Sequence, residues 1–99
     1  MTDVRTRVRV VVSGRVQGVG FRDSTRQLAE QLHLGGWVRN LGDGRVEVAL
    51  EGPAAEVGRA VAWCKAGPPW ATVEACETHA EVPVGETSFR VRSTEYAAR

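Results

Sequence analysis

A glycine-rich loop that leads into a predicted helix is the segment of this chain best suited to bind an anion. Gly14, Gly18 and Gly20 lie close together, and apolar residues at helical spacing begin directly after them. Free backbone N–H groups at such a junction, together with the positive end of the helix dipole, attract negative charge. Arg22, in the first helical turn, can donate two hydrogen bonds to an oxyanion. The segment therefore predicts a site for phosphate or a similar anion.

The same residues exclude two common kinds of phosphate chemistry. No Gly-Lys-Ser/Thr ends the loop, so the lysine and the magnesium-binding hydroxyl of a nucleotide P-loop are missing. Val16 stands six residues before Arg22, where a phosphatase of the Cys-x5-Arg type would carry its nucleophile. Two interpretations of the loop remain, a non-covalent anion site and a tight connection that binds nothing.

The segments around the loop are predicted to form alternating strands and helices. Apolar residues at every second position indicate strands, and apolar residues at helical spacing indicate helices. The predicted elements are, in order, a strand around 8–12, a helix from Phe21 to Leu32, a strand from Trp37 to Asn40, a strand around 46–50, a helix opened by Gly52-Pro53 with the proline in its first turn, an edge strand from Val73 to Val82 and a strand at 89–91. The tail beyond them is expected to fray.

This order, β-α-β-β-α-β with room for an additional C-terminal strand, predicts an α+β fold of the ferredoxin-like sandwich type. Two helices are expected on one face of an antiparallel sheet, in one domain over residues 1–99. In this topology the third strand lies between the first two, so the glycine-rich loop and Asn40 emerge at the same end of the sheet. Two strand spacings, roughly 10 Å in all, separate them. A phosphate can bridge that gap.

The loop and the strand ending at Asn40 resemble the signature of the acylphosphatase family. The resemblance is carried by Gly14-Arg15-Val16-Gln17-Gly18-Val19-Gly20-Phe21-Arg22, Thr25, Gly36-Trp37-Val38-Arg39-Asn40, Gly44-Arg45-Val46-Glu47-Val48, Glu51-Gly52 and Phe89-Arg90-Val91-Arg92. It implies a ferredoxin-like fold and an enzyme that hydrolyses the carboxyl-phosphate anhydride of acyl phosphates. It also implies that Arg22 and Asn40 are catalytic, with Asn40 positioning the attacking water and Arg22 binding the phosphate. The backbone amides implied to bind the phosphate with Arg22 are those of Gln17, Gly18, Val19, Gly20 and Phe21.

Two positions depart from the pattern of the family. Asp23-Ser24 follows the arginine where members often carry aromatic or apolar residues, and the carboxylate is expected to favour the helix start but to weaken anion binding. Leu41 stands where some members have threonine, so a hydroxyl contact is missing there. We expect the chain to keep the activity in spite of these two departures, with at most a reduced rate.

The residues of the predicted site limit the kinds of phosphate compound that it can hydrolyse. It contains no histidine, cysteine or metal cluster, and an asparagine amide has no useful basicity, so a poor leaving group would receive no proton. The carboxylate that leaves an acyl phosphate has a conjugate acid with a pKa of about 4 and departs unprotonated. The predicted mechanism is direct in-line attack by a water held by Asn40, without a phosphoenzyme intermediate. Alkyl phosphate esters are expected to be poor substrates.

Composition excludes several other classes of protein. A formal net charge of +1 lacks the basic excess of a nucleic-acid-binding surface, so no nucleic-acid partner is expected. No apolar run approaches the roughly 20 residues of a membrane span, and Met1–Arg5 does not lead into a secretory signal. We therefore expect a cytoplasmic protein without a membrane partner. The resemblance to acylphosphatases implies a monomer whose partner is a small acyl phosphate. Cys64, Cys76, His33 and His79 are too sparse for a disulfide scaffold or a zinc site, so no metal or other cofactor is expected.

The remaining polar residues are assigned to the surface, and two other functions stay open. Arg15 and Arg39 are expected to be solvated, and Glu47 and Glu51 to alternate outward as surface charges. One alternative is a carbamoyl-phosphate-handling module of the kind that begins hydrogenase-maturation proteins, which the length of 99 residues disfavours. The other is a non-catalytic ferredoxin-like domain that binds RNA or a small ligand. RNA binding is disfavoured because the first and third strands carry no aromatic residues for base stacking.

Overall fold

Two helices pack on one face of a five-stranded sheet in the computed structural model, which describes residues 4–96. The elements are β1 Arg5–Arg15, α1 Phe21–Gln31, β2 Gly35–Asn40, β3 Val46–Pro53, α2 Ala54–Ala66, β4 Thr72–Glu81 and β5 Phe89–Val91. The strand order β4-β1-β3-β2-β5 places β3 between β1 and β2. The predicted α+β ferredoxin-like fold is confirmed. The predicted fraying of the tail concerns in part residues 97–99, which lie outside the described residues.

Alternating valines form the centre of the core because every second residue of a strand faces the same side of the sheet. Val10 and Val12 on β1 pair with Val48 and Val46 on β3, and all four side chains are fully buried. Burying each of them stabilises the fold by about 1.5 to 3 kcal/mol. Phe21, the first residue of α1, belongs to the same core. The start of α1 is therefore packed on the sheet where β1 ends.

Two predicted features of the fold differ from the structure. The sheet is mixed rather than antiparallel, because β5 pairs in parallel with β2, with Val38 opposite Val91. The reason is that residues 82–88 carry the chain from the end of β4 across the sheet to the start of β2. Pro53 is the N-cap of α2 and the last residue of β3, not part of the first helical turn, since its backbone is extended.

The face of the sheet opposite the helices carries charged residues that the sequence analysis placed at the surface. That prediction was wrong for Glu51, which is fully buried, and for Glu47, which is 8% exposed. Arg9 and Arg39 donate hydrogen bonds to Glu47 at 3.2 and 2.8 Å, so Arg39 is paired rather than solvated. The alternation along β3 was predicted correctly. Ion pairs and residues 82–88, which lie across this face, bury the charged side of the strand as well.

The covering segment, residues 82–88, is held across the sheet by Glu51. The backbone N–H groups of Val84 and Gly85 donate to its two carboxylate oxygens at 3.1 and 2.6 Å. Arg7 donates to the same carboxylate at 2.9 Å. Burial alone would raise the pKa of the Glu51 carboxyl, but these donors together outweigh it and hold the pKa below its usual value.

We expect Glu51→Gln to lower the melting temperature at neutral pH by at least about 5 °C, because it removes the charge that these donors stabilise. The pKa of Glu51 is lower in the folded than in the unfolded chain. Its contribution to stability is therefore present above the unfolded pKa and is lost as the pH falls through the folded pKa. The difference between wild type and variant should shrink from neutral pH to about pH 3 in thermal melts followed by circular dichroism. Glu74→Gln, at an exposed position of β4, is the control, and an equal loss in both variants would contradict the role of Glu51.

Candidate active site

The glycine-rich loop is anchored at both ends by buried side chains, and the backbone N–H groups between them are unpaired within residues 4–96. Val16 and Phe21 are 1% and 2% exposed. Gly18 and Gly20 have φ angles of 72° and 80°, in the left-handed region that glycine adopts without strain. A Cβ atom at either position would meet nothing within 4 Å, so the backbone angle and not space calls for glycine. Within the described part of the chain, no N–H group of residues 17–20 donates to a backbone carbonyl.

The N-terminus of α1 leaves its first backbone N–H groups pointing out of the helix. Gly20 is the N-cap and provides no side-chain cap. The first helical hydrogen bond runs from the N–H of Ser24 to the carbonyl of Gly20, at 3.0 Å. The N–H groups before Ser24 in the helix have no carbonyl one turn earlier. They can donate to an anion instead.

A cavity of about 290 Å³ lies between this loop and the end of β2. It is lined by Val16, Gly18, Gly20, Phe21, Arg22, Asp23, Asn40 and Val91. The structure thus brings Arg22 and Asn40 to one cavity, together with three residues of the loop. Since one water molecule occupies roughly 30 Å³ of liquid, the cavity has room for a tetrahedral anion and an attacking water.

The guanidinium of Arg22 is available to a ligand. Arg22 is partly buried, and over residues 4–96 its side chain makes no hydrogen bond and no ion pair. The neighbouring carboxylate of Asp23 is engaged elsewhere, because Arg26 donates to it at 2.6 Å and Gln27 at 3.1 Å. Asp23 therefore lines the cavity without pairing with Arg22. Whether its charge weakens anion binding stays a prediction.

Asn40 lines the cavity, and its carboxamide carries a buried hydrogen-bond acceptor. Its Oδ1 atom is buried and has no hydrogen-bond partner among the described residues. A buried acceptor without a partner costs free energy, so such an atom points to a donor outside the chain. The backbone on either side is fixed, since the carbonyl of Asn40 accepts a hydrogen bond from the N–H of Glu95 at 2.9 Å. Asn40 can therefore hold the O–H of a water at a defined place.

Two predicted phosphate-binding residues, Gln17 and Val19, do not line the cavity. The side chain of Val19 packs against the core, and that of Gln17 points to the β2–β3 hairpin. The prediction for both concerned their backbone amides and stays a prediction. Three cavity residues, Val16, Asp23 and Val91, were not among the predicted site residues, and of these Val91 alone lies outside the loop and the start of α1. No signal in the sequence could have placed it there, because its position depends on the parallel pairing of β5 with β2.

The cysteines are unsuited to nucleophilic catalysis in this fold. Cys64 and Cys76 are free thiols, and neither lines the cavity. Burial, with a smaller contribution from Cys76, raises the pKa of Cys64 to about 12. Between residues 4 and 96, no three His, Cys, Asp or Glu side chains are grouped so that they could hold a metal ion. No helix in that range has the length and apolar character needed to cross a bilayer.

Comparison with known proteins decides the family. A sequence model of the acylphosphatase family matches residues 8–91, a range that includes every residue of the cavity. The chain belongs to the acylphosphatase family. The acylphosphatase of Rubrobacter xylanophilus is 59% identical over 87 residues, covering 87% of this chain and 79% of that protein. The acylphosphatase from Coxiella burnetii, whose structure is known, has 42% sequence identity to this chain and a TM-score of 0.85. The match covers 89% of this acylphosphatase-family chain and 93% of the Coxiella chain.

The same fold occurs in a much longer protein. The structure of full-length HypF in its phosphate- and nucleotide-bound form has a TM-score of 0.88 to this acylphosphatase-family chain, at 21% identity. The match covers 98% of this chain but only 13% of HypF. At that identity the likeness shows the fold alone.

Proposed function

We propose that this chain hydrolyses acyl phosphates to a carboxylate and inorganic phosphate, with Arg22 and Asn40 as its catalytic residues. The observation that carries the proposal is the cavity that Arg22, Asn40 and the N-terminus of α1 line together, where the Arg22 guanidinium and the Asn40 carboxamide oxygen have no partner among residues 4–96. Family membership supports the activity, and the geometry supports the roles. The guanidinium and the amides are suited to an anion, whereas Oδ1 of Asn40 repels one and suits a water.

In the proposed reaction the phosphoryl group lies against the loop, with its non-bridging oxygens bound by Arg22 and by backbone N–H groups of residues 17–22. The water held by Asn40 attacks phosphorus in line with the acyl oxygen. The bond between phosphorus and the acyl oxygen breaks, and its electron pair leaves with the carboxylate. The proton of the water passes to a phosphate oxygen. Preorganised donors stabilise the charge on the equatorial oxygens, and loss of one such donor raises the barrier by about 3 to 4 kcal/mol.

The cavity accounts for the restriction to activated phosphates. No side chain that lines it is a general acid at neutral pH, because Asp23 is the one lining carboxyl and its oxygens are bound by Arg26 and Gln27. A leaving alkoxide would need a proton, whereas a carboxylate does not.

We also propose that the chain acts in the cytoplasm as a monomer. Two free thiols suit a reducing compartment.

The activity is tested by incubating the purified protein with benzoyl phosphate in the presence of a chelator. We expect release of inorganic phosphate, no release from glycerol phosphate, and incorporation of label from H2¹⁸O into phosphate and not into benzoate. Carbamoyl phosphate is the comparison substrate. Hydrolysis of carbamoyl phosphate alone would favour the carbamoyl-phosphate-handling alternative, and inertness toward both anhydrides would favour a non-catalytic domain.

A further inference from the structure

We propose that the side chain of Gln17 is a positioning residue that sets the distance between the phosphate-binding loop and Asn40. This inference rests on the proposed function but concerns the carboxamide of Gln17, which does not line the cavity. Nε2 of Gln17 donates to the carbonyl of Leu41 at 2.8 Å and to the carbonyl of Arg45 at 2.9 Å. Two carbonyl oxygens face the carboxamide, so both hydrogens of its NH2 group are used.

The topology explains why such a connection is needed. β3 lies between β1 and β2, so the loop after β1 and the end of β2 share no strand pairing. About 10 Å separates the two strands, because each spacing in a sheet is about 4.8 Å. The loop carries the anion donors and β2 carries Asn40. The sheet fixes the two strand ends, because Val12 of β1 and Asn40 of β2 both lie opposite Val46 of β3. The loop after β1 lies beyond this pairing, so side chains must hold it relative to Asn40.

Both carbonyls that Gln17 contacts belong to the hairpin that follows Asn40. Leu41 is the next residue, and its own N–H donates to the carbonyl of Arg45 at 2.8 Å. Gln17 thus donates to the Arg45 carbonyl, which also accepts the closing hydrogen bond of the hairpin, and to the carbonyl of the residue that follows Asn40. A shift of the loop relative to Asn40 would break both hydrogen bonds of Gln17.

Gln17 makes the polar contact between the loop and the hairpin, whereas Val16, Val19 and Phe21 pack on the core. The amides of residues 17–20 have no backbone carbonyl partner over residues 4–96, and the space around Gly18 and Gly20 is open. Buried apolar side chains hold the ends of the loop at Val16 and Phe21. They fix its ends on the core, but apolar side chains cannot hydrogen-bond to the hairpin carbonyls. The carboxamide of Gln17 supplies that contact.

The inference is tested by Gln17→Met, which keeps the length of the side chain and removes both donors. The loop and Arg22 still bind phosphate as a unit, whereas the water on Asn40 is no longer aligned with phosphorus. We expect kcat for benzoyl phosphate to fall by about tenfold, because misplacement of reacting groups by less than an ångström lowers rates steeply. Inhibition by inorganic phosphate should change by less than about threefold. Gln17→Asn, which keeps the amide but is one methylene shorter, should show the same separation of effects.

Gln31→Met is the matched control, because Gln31 is exposed at the end of α1. It should leave both constants unchanged. A Gln17→Met enzyme with unaltered kcat would overturn the inference. Parallel losses of kcat and of phosphate binding, with a lower melting temperature, would also overturn it, since they would indicate a structural role alone. An inactive wild-type protein would instead contradict the proposed function, and the inference would fail with it.

Discussion

Replacing Asn40 by alanine is expected to lower kcat by about 100- to 1,000-fold while the affinity for inorganic phosphate changes little. The carboxamide holds the attacking water in this account, and the phosphate is held by other groups. Loss of Asn40 should therefore affect the chemical step and spare ground-state binding. Steady-state kinetics with benzoyl phosphate, with inorganic phosphate as a competitive inhibitor, measure both quantities.

The stability of the Asn40→Ala variant separates a catalytic role from a structural one. Oδ1 is buried without a partner in the described part of the chain, so its removal breaks no hydrogen bond within residues 4–96. The melting temperature should therefore stay within a few degrees of wild type. Asn40→Asp, which keeps the shape but adds a negative charge beside the phosphate, should weaken phosphate binding as well as lower kcat. A kcat reduced by less than about threefold in Asn40→Ala would contradict the role of Asn40.

Arg22→Ala is expected to weaken phosphate binding and to slow the chemical step. We expect kcat/KM to fall by about 1,000-fold or more and phosphate affinity by at least about tenfold. The guanidinium pairs with the phosphate before the reaction and with the equatorial oxygens of the phosphoryl group in the transition state. Because no carboxylate of the described chain pairs with it, its removal leaves no buried anion unpaired. The fold should therefore persist in the variant.

Two further variants show whether the effect of Arg22→Ala comes from the lost pair of hydrogen-bond donors or from the lost positive charge. Arg22→Lys keeps the charge but loses the planar pair of donors, so it should recover part of the phosphate affinity and little of kcat. Arg59→Ala removes one positive charge from an exposed position of α2 and should leave the kinetics unchanged. Small and equal effects of Arg22→Ala and Asn40→Ala would contradict the assignment of roles.

The fold could be predicted wherever one face of an element packs on the core. The valines of β1 and β3 alternate because one side of each strand faces the helices. The same alternation cannot show whether the other side is covered. Glu51 is buried by Arg7 and by residues 82–88, a segment without any periodic pattern, so its burial could not be predicted from its neighbours in sequence.

The meeting of Arg22 and Asn40 was predictable because the topology alone determines it. Once β3 lies between β1 and β2, the loop and the end of β2 must share one edge of the sheet. Val91 and the side chain of Gln17 were not predictable in this way. The position of Val91 depends on how a three-residue strand joins the sheet, and the contacts of Gln17 are made to backbone carbonyls, which every residue carries.

Titration of the ¹⁵N-labelled protein with inorganic phosphate locates the anion, because each N–H group near it responds separately. We expect saturable chemical-shift changes at the amides of residues 17–22 and at the side-chain N–H groups of Arg22 and Asn40. The amides at the start of α2, which is also the N-terminus of a helix, should not respond. Shifts at α2 of the same size, or an unaffected Arg22 guanidinium, would contradict the account.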